Sequence, residues 1–201
     1  MVAEGLEYVR LHRHSNTFRY YFFIKLGIVI NSMDKPIEVI LVDEQDRAIG
    51  TGEKLEAHKR GLLHRAFSIF IFNTRGEMLI QRRAQGKYHS GGLWSNACCS
   101  HPRPGEDMSV AVHRRLQEEM SIDCELEEKF TFIYKVAFDN DMTEYEFLHV
   151  FSGICDVDPI PNPDEVDDMA WIDVRELKRD VDANPARYTY WFREALSRLL
   201  P

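Results

Sequence analysis

RAFSIFIF from Arg65 to Phe72, NTRG from Asn73 to Gly76 and EMLIQRR from Glu77 to Arg83 form the stretch that decides the fold class. The first piece is a short apolar run rich in Ile and Phe, the pattern of a buried strand. The second is a turn built from Asn, Thr and Gly, and the third reads as the returning strand of a hairpin. Downstream, Gly86 to Gly105 is rich in Gly, Ser, His, Pro and Cys, and reads as a long loop of the kind that carries function. Asp107 to Met120 then reads as a helix. Met108, Val112, Leu116 and Met120 make its apolar stripe, with Glu106 and Asp107 at its positive N-terminal end.

Upstream, Pro36 to Asp43 is a candidate strand and Asp46 to Gly52 is turn-like, with two glycines. Further on, Phe130–Phe138 and Glu144–Ile154 read as strands, the second amphipathic. Met169–Asp173 reads as a short strand and Val174–Asp180 as a short helix. Asn184-Pro185 reads as a cap and first-turn proline opening a last helix, on which Tyr188, Phe192, Ala195 and Leu199 share a face. Mixed strands with a few helices predict an α+β sandwich.

The chain has 201 residues and a formal net charge of −8, which fits one domain with a short extension. The acidic balance argues against a general nucleic-acid binder, but leaves room for a local basic pocket. Four cysteines, two of them adjacent, do not make a disulfide scaffold at this length, and they point to a reducing cytoplasm. Tyr20–Ile30 (YYFFIKLGIVI) is too short to span a bilayer, which takes about 20 apolar residues. No small-residue cleavage site follows it. Met33 begins a natural first strand, so residues 1–32 are expected to be an extension without chemistry or an over-long start, and 33–201 the working domain.

Several residue groups carry potential chemistry. Gly91–Pro102 (GGLWSNACCSHP) sets a thiol two residues before a histidine in a glycine-flanked loop. Positive charge or a metal there would lower the thiol pKa, although a buried structural thiol pair fits the same pattern. His58 and His64 flank an expected loop-to-strand junction, and histidines of this kind make a metal site only with carboxylates. Glu144 and Glu146, two apart on a strand, project from one face, while Tyr145 and Phe147 occupy the other. On the residues alone, an exposed strand start after Asp139–Asp141 is the first reading of that pair. Lys54, Arg82, Arg83, Lys87, Arg114 and Arg115 offer a local phosphate site or a solvated charged face. On the helix, Arg114–Glu118 and Arg115–Glu119 are i,i+4 pairs. Trp191 neighbours an apolar stripe and reads, on pattern, as a core residue.

Together these pieces resemble the type I isopentenyl-diphosphate isomerases of the Nudix superfamily, over about Pro36 to Leu200. The resemblance rests on KLEAH (54–58), HRAFS (64–68), QRRAQGK (81–87), GLWSNACCSHP (92–102), RRLQEE (114–119), Tyr134, EYEF (144–147) and YWF (190–192), in this order. It implies a Nudix-type mixed β-sheet sandwich flanked by helices. It also implies a cytoplasmic, metal-dependent enzyme of isoprenoid biosynthesis that converts isopentenyl diphosphate to dimethylallyl diphosphate through a tertiary carbocation-like intermediate. In that reading Cys99 and Glu146 transfer protons, Tyr134 stands beside the glutamate and Trp191 faces the substrate carbons. His58, His64, His101, Glu144 and Glu146 hold a divalent metal, which could be Mn²⁺, Mg²⁺ or Zn²⁺. Glu119 holds a Mg²⁺ linked to the diphosphate, and Lys54, Arg83, Lys87 and Arg115 bind the diphosphate itself. The partner is a small diphosphate, with no nucleic acid and no membrane span. The helix ends EEMS where a hydrolytic Nudix box would end in glutamate, glutamate, any residue, glycine, and the preceding loop carries Cys and His. A Nudix diphosphate hydrolase remains the alternative. A structural zinc-binding domain would leave Arg83, Lys87, Glu119 and Trp191 without a task.

Overall fold

The computed structural model describes residues 36–200, so the expectations for residues 1–32 lie outside the described residues. The central element is β3 (His64–Phe72), with seven of its nine residues fully buried along HRAFSIFIF. A run apolar on both faces needs cover on both faces, and β3 has it. Ala66 and Phe70 face one core, with Tyr134, Leu148, Trp191 and Phe192. Phe67, Ile69 and Ile71 face a second, with Cys98, Val112, Leu116 and Met120. Burying side chains of this size contributes about 1.5–3 kcal/mol each.

The predicted hairpin forms: β4 (Glu77–Arg83) returns from the Asn73–Gly76 turn. The two strands pair only at the turn, through Ile71–Leu79 and Phe72–Met78, and then splay apart. Beyond the turn, β3 pairs parallel to β8 (Thr143–Ile154) and antiparallel to β6 (Cys98–Ser100). β4 pairs instead with β9 (Val166–Asp173) and β5 (Trp94–Asn96). β7 (Leu126–Ala137) extends β8, and β1 (Glu38–Val42) carries β2 (Ala48–Glu53). α2 (Met108–Met120) covers one face of β3 with the stripe that its sequence predicts, and α3 (Val174–Ala183) and α4 (Tyr190–Leu199) supply buried residues to the other core. The α+β sandwich is therefore present.

Three local expectations need correction. Ala48–Glu53 is a strand and not a turn, because its backbone completes the ladder to β1 despite two glycines. The expected loop before His64 contains α1 (Lys54–Arg60), which is capped by Glu53 and closed by Gly61 in the left-handed conformation (φ 58°). The Glu53 carboxylate accepts from the backbone N–H groups of Leu55 and Glu56, a cap that Ser, Thr, Asp or Asn would signal more plainly. Asn184-Pro185 opens only a 3₁₀ turn (Pro185–Arg187), and α4 begins at Tyr190. Tyr188 lies outside the helix because its backbone bridges to Trp94, yet its ring stacks on Phe192 (5.6 Å).

Candidate active site

Strand register places most of the site. Residues paired across neighbouring strands share a face. Tyr134 pairs with Glu146 and Glu146 with His64, so the three side chains lie in a row across β7, β8 and β3. Two residues along β8, Glu144 projects to the same face. Both carboxylates are buried, against the exposed-strand reading. The register also separates the adjacent cysteines. Cys99 pairs with Ser68, on the face shared with His64, while Cys98 pairs with Ile69 and points into the core under α2.

On this face lies a cavity of about 450 Å³, within the size range of small-ligand sites. Cys99, His101, Tyr134, Glu144, Glu146 and Trp191 line one part of it, and Lys54, Arg83, Lys87, Arg115 and Glu119 another. Every one of these was expected at the site. The structure leaves Arg82 off the cavity, paired with Asp168 (3.4 Å). Arg114 lines it but is held by the Glu106 carboxylate (2.6 and 2.8 Å) and by Glu118 (3.1 Å).

The Cys99 thiol sits in a cage. It donates to Asn96 Oδ1 (3.0 Å), lies 3.2 Å from Ser68 Oγ and accepts from the Trp191 indole N–H (3.1 Å). The same N–H reaches Ser95 Oγ (3.1 Å), which is 3.0 Å from Thr189 Oγ1. Burial pushes the thiol up to about 11, with the Ser68 hydrogen bond opposing, so at neutral pH it carries its proton. Trp191 is thus a core tryptophan by burial and a cavity wall by position.

The imidazoles and carboxylates crowd around one point. The ligand atoms of His58, His64, His101 and Glu146 lie within 4.8 Å of one another, and so do those of His58, His89 and Glu144. His58 Nδ1 is 2.6 Å from Lys54 O, and His64 Nδ1 is 2.8 Å from Leu62 O. A ring that donates from Nδ1 to a carbonyl leaves its Nε2 lone pair free for a metal. His64 Nε2 is buried without a hydrogen-bond partner among the described residues. Burial, then the charge of Lys54, drives His101 well below the usual range, so its ring is neutral. The Tyr134 hydroxyl lies 2.9 Å from Glu144 Oε2 and 2.7 Å from Glu146 Oε2 and can donate to either. Burial, then the charge of Glu144, pushes Glu146 up to about 7. Glu144 goes the other way: the His58 and His89 rings facing it outweigh its burial and hold it well below the usual range. Three clustered imidazoles, a partnerless ring nitrogen and two buried carboxylates are a donor set that suits a divalent cation.

The basic part is built differently. Lys54 and Arg83 have no carboxylate within 4 Å among the described residues, and the Arg83 guanidinium lies 5.2 Å from the centre of a Trp191 ring. Lys87 and Arg115 both engage Glu165, Lys87 on Oε2 and Arg115 on Oε1 (3.2 Å). Arg115 also pairs with Glu119, whose burial raises its carboxyl against the pull of that guanidinium. Gly91 and Gly92 let the loop fold back on itself. A Cβ on Gly91 would stand 2.6 Å from Gln85 O, and Gly92 has φ 77°.

Sequence reasoning missed His89, Glu165, Ser95, Ser68, Asn96 and Thr189. Ser95, Asn96 and His89 had a signal, their place inside the Gly86–Gly105 loop, and Ser68 lies in the HRAFS stretch. Glu165 and Thr189 reach the site through chain reversals that no spacing reports.

A NUDIX domain matches residues 62–192. An isopentenyl-diphosphate Delta-isomerase 2 from Aromatoleum aromaticum is 52% identical over 81% of this chain and 86% of its own length. A protein of the same name from Photorhabdus laumondii is 47% identical, over 80% and 91%. In structure, the chain is similar to DR0079 from Deinococcus radiodurans, with a TM-score of 0.67 at 20% identity, covering 82% of this chain and 99% of that one. It is also similar to a MutT protein from Methanosarcina mazei, with a TM-score of 0.55 at 18% identity, over 68% and 91%. These likenesses show a shared fold.

Proposed function

The chain belongs to the isopentenyl-diphosphate Delta-isomerases of the NUDIX family and isomerises isopentenyl diphosphate to dimethylallyl diphosphate in isoprenoid biosynthesis; we propose that the cavity residues divide that reaction as follows. The terminal alkene carbon of the substrate gains a proton and the carbon two bonds away loses one. Cys99 and Glu146 are the proton-transfer pair. Glu146 is buried and Cys99 half-buried in the wall of one cavity, and both hold their protons more tightly than free side chains do. Tyr134 holds the Glu146 carboxyl through its hydroxyl. The positive charge that develops on the branched carbon is stabilised by the Trp191 indole face, and a desolvated cation–π contact supplies roughly 2 kcal/mol. Closing this pocket to water prevents quenching of the cation.

His58, His64, His101, Glu144 and Glu146 would hold a divalent metal (Mn²⁺, Mg²⁺ or Zn²⁺), which would supply a fixed positive charge that tunes the proton affinity of Glu146. Glu119, with the substrate phosphates, would hold a Mg²⁺ that neutralises the diphosphate. Lys54, Arg83, Lys87 and Arg115 grip the same group as an anchor that is not cleaved. The four cysteines are free in the structure, consistent with the reducing cytoplasm in which we place the enzyme. Among the described residues, no helix is long and apolar enough to cross a membrane.

The observation that carries this reading is the Cys99 thiol, held by Asn96, Ser68 and Trp191 in the wall shared with Glu146. Product analysis after incubation with isopentenyl diphosphate and Mg²⁺ tests it. Dimethylallyl diphosphate with the diphosphate intact is expected. Release of phosphate would make the protein a hydrolase on this fold.

A further inference from the structure

Outside the five residues assigned above to the divalent metal, one more imidazole enters the cluster. His89 is 6% exposed, and its Nε2 stands 2.6 Å from Glu144 Oε1. That nitrogen is off the axis of a hydrogen bond and has no aligned partner among the described residues. Its ligand atom lies within 4.8 Å of those of His58 and Glu144. The ring is fixed from several sides. It stacks on Phe138 at 4.6 Å with planes 9° apart, meets Tyr88 edge-on at 4.5 Å and Trp191 edge-on at 5.7 Å. Its other nitrogen, Nδ1, is 3.2 Å from Ser90 Oγ.

We propose that His89 is a positioning residue that donates Nε2–H to Glu144 and so holds that carboxylate for the metal. Two lone pairs cannot face each other at 2.6 Å, so a proton or a cation must lie between these atoms. Ser90 Oγ can donate to Nδ1, which leaves the ring proton on Nε2, facing the carboxylate. A group that orients a ligating carboxylate commonly accounts for about 10–100-fold in metal affinity. His89 also joins the metal to the substrate wall, since one edge of the same ring meets Trp191.

The inference rests on the five-residue metal centre proposed above. The test is the affinity of the purified, metal-stripped enzyme for Mn²⁺ and Zn²⁺, measured by competition with a chelator. It is run on the wild type, His89→Phe and His89→Gln, with the thermal midpoint of each stripped protein taken alongside. His89→Phe keeps the stacking on Phe138 but has no donor, and His89→Gln keeps an N–H near the position of Nε2. Affinity should fall about 10–100-fold in His89→Phe and only a few-fold in His89→Gln. If His89→Phe does not fold, His89→Ala takes its place. Unchanged affinity in the donor-less variant overturns the inference, as does an equal loss in both variants. If the wild type itself binds no metal while His58→Ala behaves identically, the metal centre fails and His89 with it.

Discussion

The two ends of the cavity are built by different means. One wall is strand-built: Tyr134, Glu146 and His64 stand in register across three strands, and Cys99 stands opposite Ser68 on a fourth. Its groups are buried or half-buried, and their spacing is set by ladders that cannot slip by one residue without turning every side chain to the other face. The other wall comes from helix starts, loops and one strand end: Lys54 at the first position of α1, Arg83 at the end of β4, Lys87 in a loop, Arg115 and Glu119 on α2. Two of its cations, Lys87 and Arg115, already pair with carboxylates that lie within the same cavity. In the proposed reading the first wall is preorganised for proton transfer. The second holds exchangeable ion pairs, and an incoming diphosphate must replace some of them. Changes in the first wall should therefore act on kcat, and changes in the second on KM.

The largest effect separates two neighbours in sequence. Cys99→Ala removes one of the two proposed proton-transfer groups; such a group contributes roughly 10²–10⁴-fold, so kcat should fall by about that factor while bound metal, measured by elemental analysis, stays at the wild-type level. Cys98→Ala should keep its kcat and lose only stability, by about 1 kcal/mol in chemical denaturation, because that thiol packs under α2. Similar kcat losses in both variants would break the distinction that the register draws. Removing the metal with a chelator should also bring turnover close to zero, and restoring a divalent cation should return it.

Trp191 tests where the two walls meet. Its indole lies 5.2 Å from the Arg83 guanidinium and faces the substrate carbons in the reading proposed here. Trp191→Phe keeps an aromatic face and should retain much of the activity. Trp191→Ala loses roughly 2 kcal/mol or more of cation–π stabilisation, about 30-fold in kcat, beside a packing defect. Equal turnover of the two variants, near the wild-type rate, would retire the cation–π role and leave a core residue.

The same contrast explains what was legible in the sequence. Strand periodicity put Glu144 and Glu146 on one face, and the hairpin from Arg65 to Arg83 could be read directly. Periodicity did not reveal that this face is buried, because burial depends on β7, α4 and the cysteine loop arriving from elsewhere in the chain. Cys99 could be separated from Cys98 only by the resemblance. The structural reason is a register with Ser68 that no local pattern encodes. α1 was missed because a seven-residue helix capped by glutamate lacks the usual start signal. Glu165 was invisible because the turn that delivers it is pinned by long-range backbone bonds, from Asn162 N to Glu119 O (2.8 Å) and from Ala84 N to Glu165 O (3.0 Å).

In the second wall, Lys87→Ala should raise KM about tenfold or more, since a hydrogen bond between charged groups contributes about 1.5–3 kcal/mol, and should change kcat by only a few-fold. Glu165→Gln is the smallest effect expected and the one that defines this wall most sharply. The Glu165 carboxylate spans two cations that face the cavity, one on each oxygen, much as two phosphate oxygens would. It is partly exposed and so well screened, and a diphosphate with more charge should displace it. Removing its charge then frees Lys87 and Arg115 in advance, and KM for isopentenyl diphosphate should fall a few-fold at unchanged Mg²⁺. A rise in KM instead would mean that Glu165 orders the two cations for the substrate and does not compete with it, and the second wall would then be as preorganised as the first.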